Sequence, residues 1–77
     1  MKLVETSKFR KLRKRIVSAH EKAALKKAVA KIMGDPEAGK FLKGEFRDLR
    51  SFRYSVKGQS RRLIYKTEKT TVILFSF

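Results

Sequence analysis

Residues 50–77 read RSFRYSVKGQSRRLIYKTEKTTVILFSF, and the alternation at the start of this stretch decides the predicted fold. Phe52, Tyr54 and Val56 recur at every second position and are separated by polar residues. A period of two places the apolar side chains on one face of a β-strand and the polar side chains on the other. The stretch therefore begins with a half-buried strand, and the glycine-containing residues 57–59 supply a turn after it.

Two further strands are predicted beyond this turn. Residues 63–65 read LIY and form the second strand of a β-hairpin with the first. Residues 68–69 give another turn, after which residues 72–77 are nearly continuously apolar. Such a run predicts a strand that is covered on both faces or lies in the middle of the sheet.

A short strand and a helix are predicted at the N-terminus. Residues 1–5 are long enough for one strand, and residues 6–7 are Thr and Ser, which favour helix N-caps. Phe9, Leu12 and Ile16 follow at spacings of three and four, so they share one side of a helix. Basic residues occupy most of the remaining surface of this helix.

A second helix is predicted to begin at Ser18. Ser18 and Glu21 have the spacing of a capping box, in which each side chain satisfies a free backbone N–H of the first turn. Gly34 is expected to end the helix in the left-handed conformation. The apolar stripe of this helix consists of Leu25, Ala28, Val29 and Ile32. The two helices should form an antiparallel or bent hairpin.

These elements predict an α+β fold with the order β-α-α-β-β-β, in which the two-helix hairpin packs on a small sheet. A chain of 77 residues supports one domain, residues 1–77, with one small core. It lacks cysteine and has one histidine, so disulfides and a thiolate or imidazole zinc site are excluded. No apolar run approaches the ~18 residues that cross a bilayer, and the first 15 residues lack a signal-peptide pattern. We therefore expect a cytoplasmic protein.

The charge of the chain predicts a polyanionic partner. Lys and Arg number 21 while Asp and Glu number 7, which gives a formal net charge of +14. RNA, DNA, an anionic membrane or an acidic protein would each satisfy such a charge. The seven carboxylates fall mostly at predicted caps and turns and form no cluster, so a metal-dependent nuclease is not expected. His20 lies in the first turn of the second helix without a catalytic partner nearby in sequence, and no metal or other cofactor is expected.

The predicted hairpin carries six cations. Like charges that face each other across a hairpin are destabilising, so their presence favours a function. Arginine forks bind phosphates, and a sheet is a rigid platform for an RNA backbone or for a phosphorane. Two of the lysines are also candidate general bases if neighbouring charge lowers their pKa. The six are Arg50, Arg53 and Lys57 on the first strand with Arg61, Arg62 and Lys66 on the second, and the two candidate bases are Lys57 and Lys66.

Residues 41–77 contain an ordered set of short motifs: LKG, then an L-R-x-x-R pattern, a turn, RLIY and a final apolar strand. This set resembles the RelE/ParE superfamily of bacterial and archaeal toxins. The preceding strand, TSKFRKLRKRI and the helix pair that ends near GDPEAG match the family's order and length. The resemblance implies a curved, mainly antiparallel sheet packed against two helices, and a cognate antitoxin that holds the toxin inactive.

The resemblance to the RelE branch implies a ribosome-dependent mRNA endonuclease that inhibits translation without a metal. In that branch the ribose 2′-OH attacks the adjacent phosphate of mRNA in the ribosomal A site. Arg62, at the head of RLIY, matches the family's phosphate-contacting arginine, and Arg53 falls where RelE-like toxins place a lysine. These two are the candidate catalytic residues. RNA binding is assigned to Arg50, Lys57, Arg61 and Lys66.

The chain departs from the family pattern in two places, and two other functions stay open. Ser55 stands where a second lysine is common, and the family pattern continues beyond a position equivalent to Phe77 with an arginine and a general acid. We therefore expect a member with a short C-terminus and weakened or absent catalysis. The alternatives are a ParE-type inhibitor of DNA gyrase and a non-catalytic basic module that binds nucleic acid or the antitoxin.

Overall fold

A computed structural model describes residues 2–77, and it has two helices packed on one five-stranded sheet. The elements are β1 (Lys2–Glu5), α1 (Ser7–Lys14), α2 (Ala19–Gly34), β2 (Lys40–Phe41), β3 (Arg50–Val56), β4 (Gln59–Glu68) and β5 (Thr71–Ser76). The strand order across the sheet is β1-β5-β4-β3-β2. β1 runs parallel to β5, and all other neighbours are antiparallel. The predicted α+β class and mainly antiparallel sheet are confirmed.

Both predicted helix starts are confirmed by their caps. The Thr6 hydroxyl accepts a hydrogen bond from the Phe9 N–H at 3.2 Å and donates to the Leu74 carbonyl at 3.0 Å. This hydroxyl therefore caps α1 and ties its start to β5. The Ser18 hydroxyl accepts from the Glu21 N–H at 3.4 Å and caps α2. The second half of the predicted capping box is wrong, because the Glu21 carboxylate accepts a hydrogen bond from Arg61 instead of from the Ser18 backbone.

The end of α2 and both sheet turns differ in detail from the sequence prediction. Gln59 and Glu68, predicted in turns, are the first and last residues of β4. α2 ends at Gly34 as expected, but this glycine lacks a positive φ, and the prediction that it adopts the left-handed conformation is wrong. Lys57 and Gly58 do adopt positive φ angles of 48° and 79°. Positive φ at both central residues is the signature of the type I′ hairpin turn, whose twist matches the strands that it joins.

β2 is a strand that the sequence did not predict. Its two residues, Lys40 and Phe41, pair with Ser51 and Arg50 of β3. A two-residue strand is too short to show a period of two, so its segment was expected to be irregular. It extends the predicted order to β-α-α-β-β-β-β.

The core lies between the helices and one face of the sheet. Phe9 of α1 and Ile32 of α2 are at most 1% exposed, as are Leu63, Tyr65, Val72 and Leu74 of the sheet. The side chains of β3, β4 and β5 alternate between this helix face and the opposite one, which we call the far face. β5 lies in the interior of the sheet, as its apolar run predicted. No helix between Lys2 and Phe77 is long and apolar enough to span a membrane.

Candidate nucleic-acid interface

The six hairpin cations are divided between the two faces of the sheet. Arg53 pairs in register with Arg62, and both lie on the far face, because their neighbours Phe52 and Leu63 pack towards the helices. Arg50 is separated from Arg53 by three positions, and Arg61 is adjacent to Arg62. Because residues an odd number of positions apart lie on opposite faces of a strand, Arg50 and Arg61 lie on the helix face. The structure thus brings the two candidate catalytic residues together and separates them from two of the four candidate RNA-binding residues.

Arg53 and Arg62 line a cleft of about 440 Å³ on the far face. Lys40 lines the same cleft, because it pairs with Ser51, which lies two residues from Arg53 on the same side of β3. Both arginines and Lys40 are exposed. We call this site the arginine cleft, and its polar lining consists of Lys40, Ser51, Arg53 and Arg62.

Lys40 is the residue of this site that the sequence did not indicate. It reaches the cleft only because β2 pairs with β3, and nothing in the local pattern of residues 35–45 predicts that pairing. The pairing depends on contacts that the Arg50 and Tyr65 side chains make with the preceding loop, and these contacts have no signal in the sequence.

No carboxylate neutralises the arginine cleft within residues 2–77. The ion pairs in this part of the chain are Arg13–Glu5, Arg61–Glu21 and Lys66–Glu68, none of which includes a cleft cation. Like charges directly opposite each other on neighbouring strands are destabilising. The cleft is therefore a concentrated positive site with bonding capacity for an anion.

Arg50 has a structural role in the loop that leads to Lys40. Its guanidinium donates to the Gly39 carbonyl at 2.8 Å and stacks 3.8 Å over the Phe41 ring. The Tyr65 hydroxyl donates to the Pro36 carbonyl at 2.7 Å and accepts from the Gly39 N–H at 2.9 Å. Burial raises the pKa of the Tyr65 hydroxyl, which keeps it protonated and able to donate. Together these contacts fix the loop before β2 and hence the position of Lys40.

The other three hairpin cations lie away from the arginine cleft or are paired. The Arg61 guanidinium lies 3.2 Å from the Glu21 carboxylate on the helix side. Lys57 sits in the hairpin turn and lines a groove between α2 and β3 that also includes His20. The Lys66 ammonium lies 2.9 Å from Glu68.

Lys66 does not have the pKa that a general base needs. Its hydrogen bond to the Glu68 carboxylate raises its pKa, whereas a base near neutral pH needs a lowered one. The suggestion that neighbouring charge depresses Lys66 is therefore wrong. The charged residues that line the arginine cleft are Lys40, Arg53 and Arg62, a set that can bind an anion and stabilise negative charge.

Comparison with known families gives one match that covers nearly the whole chain. The family model for the ParE-like toxin of type II bacterial toxin-antitoxin systems matches residues 3–77. No curated protein and no solved structure matches the chain. The match confirms the resemblance to the RelE/ParE superfamily and implies a cognate antitoxin as a partner. The chain therefore belongs to the family of ParE-like toxins of type II bacterial toxin-antitoxin systems.

Proposed function

We propose that this toxin inhibits translation as a ribosome-dependent mRNA endonuclease and that the arginine cleft holds the reacting phosphate. The observation that carries the proposal is the position of Arg53 directly opposite Arg62 on adjacent strands. Neither side chain has a carboxylate partner within residues 2–77. The repulsion within such a pair is relieved when an anion binds to both charges. An RNA phosphodiester is an anion whose oxygens can accept hydrogen bonds from both arginines.

The proposed reaction is a transesterification within the RNA. The ribose 2′-oxygen forms a bond to the adjacent phosphorus, and the bond from phosphorus to the 5′-oxygen of the next nucleotide breaks. The products are a 2′,3′-cyclic phosphate and a free 5′-hydroxyl, and the proton of the 2′-OH is transferred in net terms to the leaving oxygen. The pentacoordinate intermediate carries more negative charge than the starting phosphate.

Arg53 and Arg62 are assigned to that extra charge. Arginine presents planar N–H forks that match phosphate oxygens, and it keeps its charge in proteins. Lys40 adds a third cation at the β2 side of the cleft. These residues stabilise the intermediate electrostatically, and we assign no proton transfer to them.

The test is primer extension on an mRNA held in purified bacterial ribosomes with an empty A site. Cuts confined to the A-site codon support the proposal. An intact mRNA in the presence of folded protein contradicts it. A cyclic phosphate at the new 3′ end distinguishes transesterification from direct hydrolysis of the phosphodiester.

Inhibition of DNA gyrase is the second candidate, because the matching family is ParE-like. Gyrase inhibition is the activity that resemblance to the ParE branch of the superfamily implies. A supercoiling assay with purified gyrase, run beside the ribosome assay, separates the two candidates. Loss of supercoiling with intact mRNA favours the second candidate, and binding of RNA with neither effect indicates a non-catalytic module.

A further inference from the structure

We propose that RNA held in the arginine cleft continues around the edge of β3 and places a neighbouring nucleotide in a second site. This site is the groove between α2 and β3, which we call the α2 groove. It rests on the proposed function, because it extends the strand whose phosphate the arginine cleft is proposed to hold. The cations of the α2 groove are different residues from those of the arginine cleft.

The α2 groove has the size and the aromatic lining of a ligand site. Its volume is about 480 Å³, and sites for small organic ligands range from roughly 300 to 1,000 Å³. Phe52 and Tyr54 line the groove, pack against the core and remain partly exposed. The α2 wall includes three alanines, whose short side chains leave room above the rings: Ala23, Ala24 and Ala28. Aromatic side chains in such a groove can stack on nucleobases of any sequence.

Cations flank the α2 groove on both sides. Lys27 and Lys31 lie about one turn apart on α2, and Lys57 lies in the hairpin turn that follows β3. All three are exposed, and none of them belongs to an ion pair within residues 2–77. Proteins that bind single-stranded nucleic acid combine such cations, which contact the phosphates, with aromatic rings that stack on the bases.

The α2 groove and the arginine cleft border the same edge of β3. β2 pairs only with the first two residues of β3, so within residues 2–77 the rest of β3 has no strand on its outer side. Phe52 lines both the groove and the cleft. Ser55, which also lines the groove, lies two residues from Arg53 on the same side of the strand. A flexible single strand held in one site can therefore continue into the other around this edge.

Single-stranded RNA matches the α2 groove better than an acidic protein segment or a duplex. Carboxylates would satisfy the lysines but would leave the rings of Phe52 and Tyr54 without a stacking partner. A duplex keeps its bases stacked on one another, whereas the bases of a single strand are free to stack on protein rings. Burial raises the pKa of the Tyr54 hydroxyl, which therefore stays protonated and can donate to a base or a phosphate.

The experiment uses the full chain and a single-stranded RNA of about eight nucleotides, within the usual site sizes of roughly 4–16 nucleotides. 2′-O-methyl groups on this RNA prevent transesterification, so binding is measured without cleavage. Fluorescence anisotropy gives the affinity, and NMR follows the ring resonances of Phe52 and Tyr54. Saturation with RNA should shift both sets of resonances. An abasic strand of equal length and charge should bind about fivefold or more weakly, because it cannot stack.

Two lysines in turns provide a matched pair of variants. Lys57 and Lys69 have φ angles of 48° and 47°, and both side chains are exposed, but only Lys57 lines the α2 groove. Asparagine tolerates this left-handed conformation, so each substitution removes one charge and preserves its turn. Lys57→Asn should weaken RNA binding about threefold or more, and Lys69→Asn by about twofold or less. Equal effects of the two variants, unshifted rings at saturation, or equal binding of the abasic strand would each overturn the second site.

Arg62→Ala separates the α2 groove from the proposed function. A loss of RNA affinity in Arg62→Ala without a loss in Lys57→Asn would overturn the second site and leave the arginine cleft in place. Intact mRNA in the ribosome assay, with shifted Tyr54 resonances and weaker binding by Lys57→Asn, would instead overturn the cleavage and support the α2 groove as an RNA site.

Discussion

Arg53 of β3 and Arg62 of β4 lie directly opposite each other on the far face of the sheet. No carboxylate within residues 2–77 pairs with either side chain. The pair therefore opposes folding in the free protein and becomes favourable when an anion binds between the guanidinium groups. Stability and anion binding are linked at this site, and each of them can be measured.

Removing one charge of the pair should stabilise the free protein. Arg53→Gln or Arg62→Gln is expected to raise the free energy of unfolding by about 0.5 kcal/mol, because cross-strand pairs contribute on that scale. Urea denaturation at low salt measures the change. Arg15→Gln removes an equal charge from an exposed position at the end of α1. A gain in the free energy of unfolding for Arg15→Gln as large as that for Arg53→Gln would contradict a specific repulsion between Arg53 and Arg62.

The same arginines should account for part of the salt dependence of RNA binding. Each phosphate contact to single-stranded nucleic acid contributes about −0.7 to the slope of log K against log salt concentration. Arg62→Ala should reduce the magnitude of the slope by about that amount, and Arg53→Ala should do the same. Anisotropy titrations of a short single-stranded RNA at several salt concentrations provide the test, with Arg15→Ala as the control. An unchanged slope in both cleft variants would place the RNA elsewhere.

Gly39 should tolerate no larger side chain. A Cβ at this position would lie 2.6 Å from the Tyr65 hydroxyl oxygen and 2.8 Å from Cε1 of the same ring. Gly39→Ala is therefore expected to destabilise the protein by about 1–3 kcal/mol, the range for overpacking of a core. Gly34→Ala is the matched control, because the added Cβ would meet no atom within 4 Å apart from its chain neighbours and the backbone of its own helix. Equal stability of the two variants in thermal unfolding would refute the close packing of Tyr65 on Gly39.

The hydroxyl of Tyr65 should stabilise the loop before β2. Tyr65→Phe removes one donor and one acceptor and leaves the Gly39 N–H, a buried donor, without its partner. A loss of about 1–3 kcal/mol is expected for such an unsatisfied group. Lys40 should then be held less firmly beside the arginines, which NMR relaxation of its backbone amide would report. A variant of unchanged stability and unchanged Lys40 dynamics would disprove this role.

The Glu5–Arg13 ion pair should make stability depend on acid pH. The hydrogen bond from Arg13 lowers the pKa of Glu5 below its ordinary value of 4.5. A carboxyl whose pKa is lower in the folded state contributes stability above its unfolded pKa, and this contribution is lost as the pH falls through the folded pKa. Glu5→Gln should reduce the fall in the free energy of unfolding as the pH drops below about 4.5. Glu45→Gln is the matched control for the loss of one carboxylate, because Glu45 forms no ion pair within residues 2–77.

The elements with a clear period were predictable from sequence. The alternation of Phe52 and Tyr54 located β3, and the Ser18 cap located the start of α2. β2 was not predictable, because two residues show no period and their pairing depends on contacts from Arg50 and Tyr65. This failure also explains why Lys40 was not recognised as part of the site.

The grouping of the six cations illustrates a second limit. Adjacent residues of one strand point to opposite faces, so Arg61 and Arg62 could never share a surface. The period of two therefore predicts that the cations are divided between the two faces of the sheet. Charge density alone indicated a single basic hairpin. Cross-strand register, which placed Arg53 opposite Arg62, depended on the turn at Lys57 and Gly58.

The most direct test of the central claim is the rate of A-site mRNA cleavage on purified ribosomes under single-turnover conditions. Arg53→Ala and Arg62→Ala are each expected to lower this rate by about 10²–10³-fold, the usual effect of removing one group that stabilises the transition state. Arg15→Ala should cleave within about twofold of the unmodified protein. Cleavage by the unmodified protein that persists at full rate in both cleft variants would contradict the assignment of the arginine cleft as the site of phosphate binding.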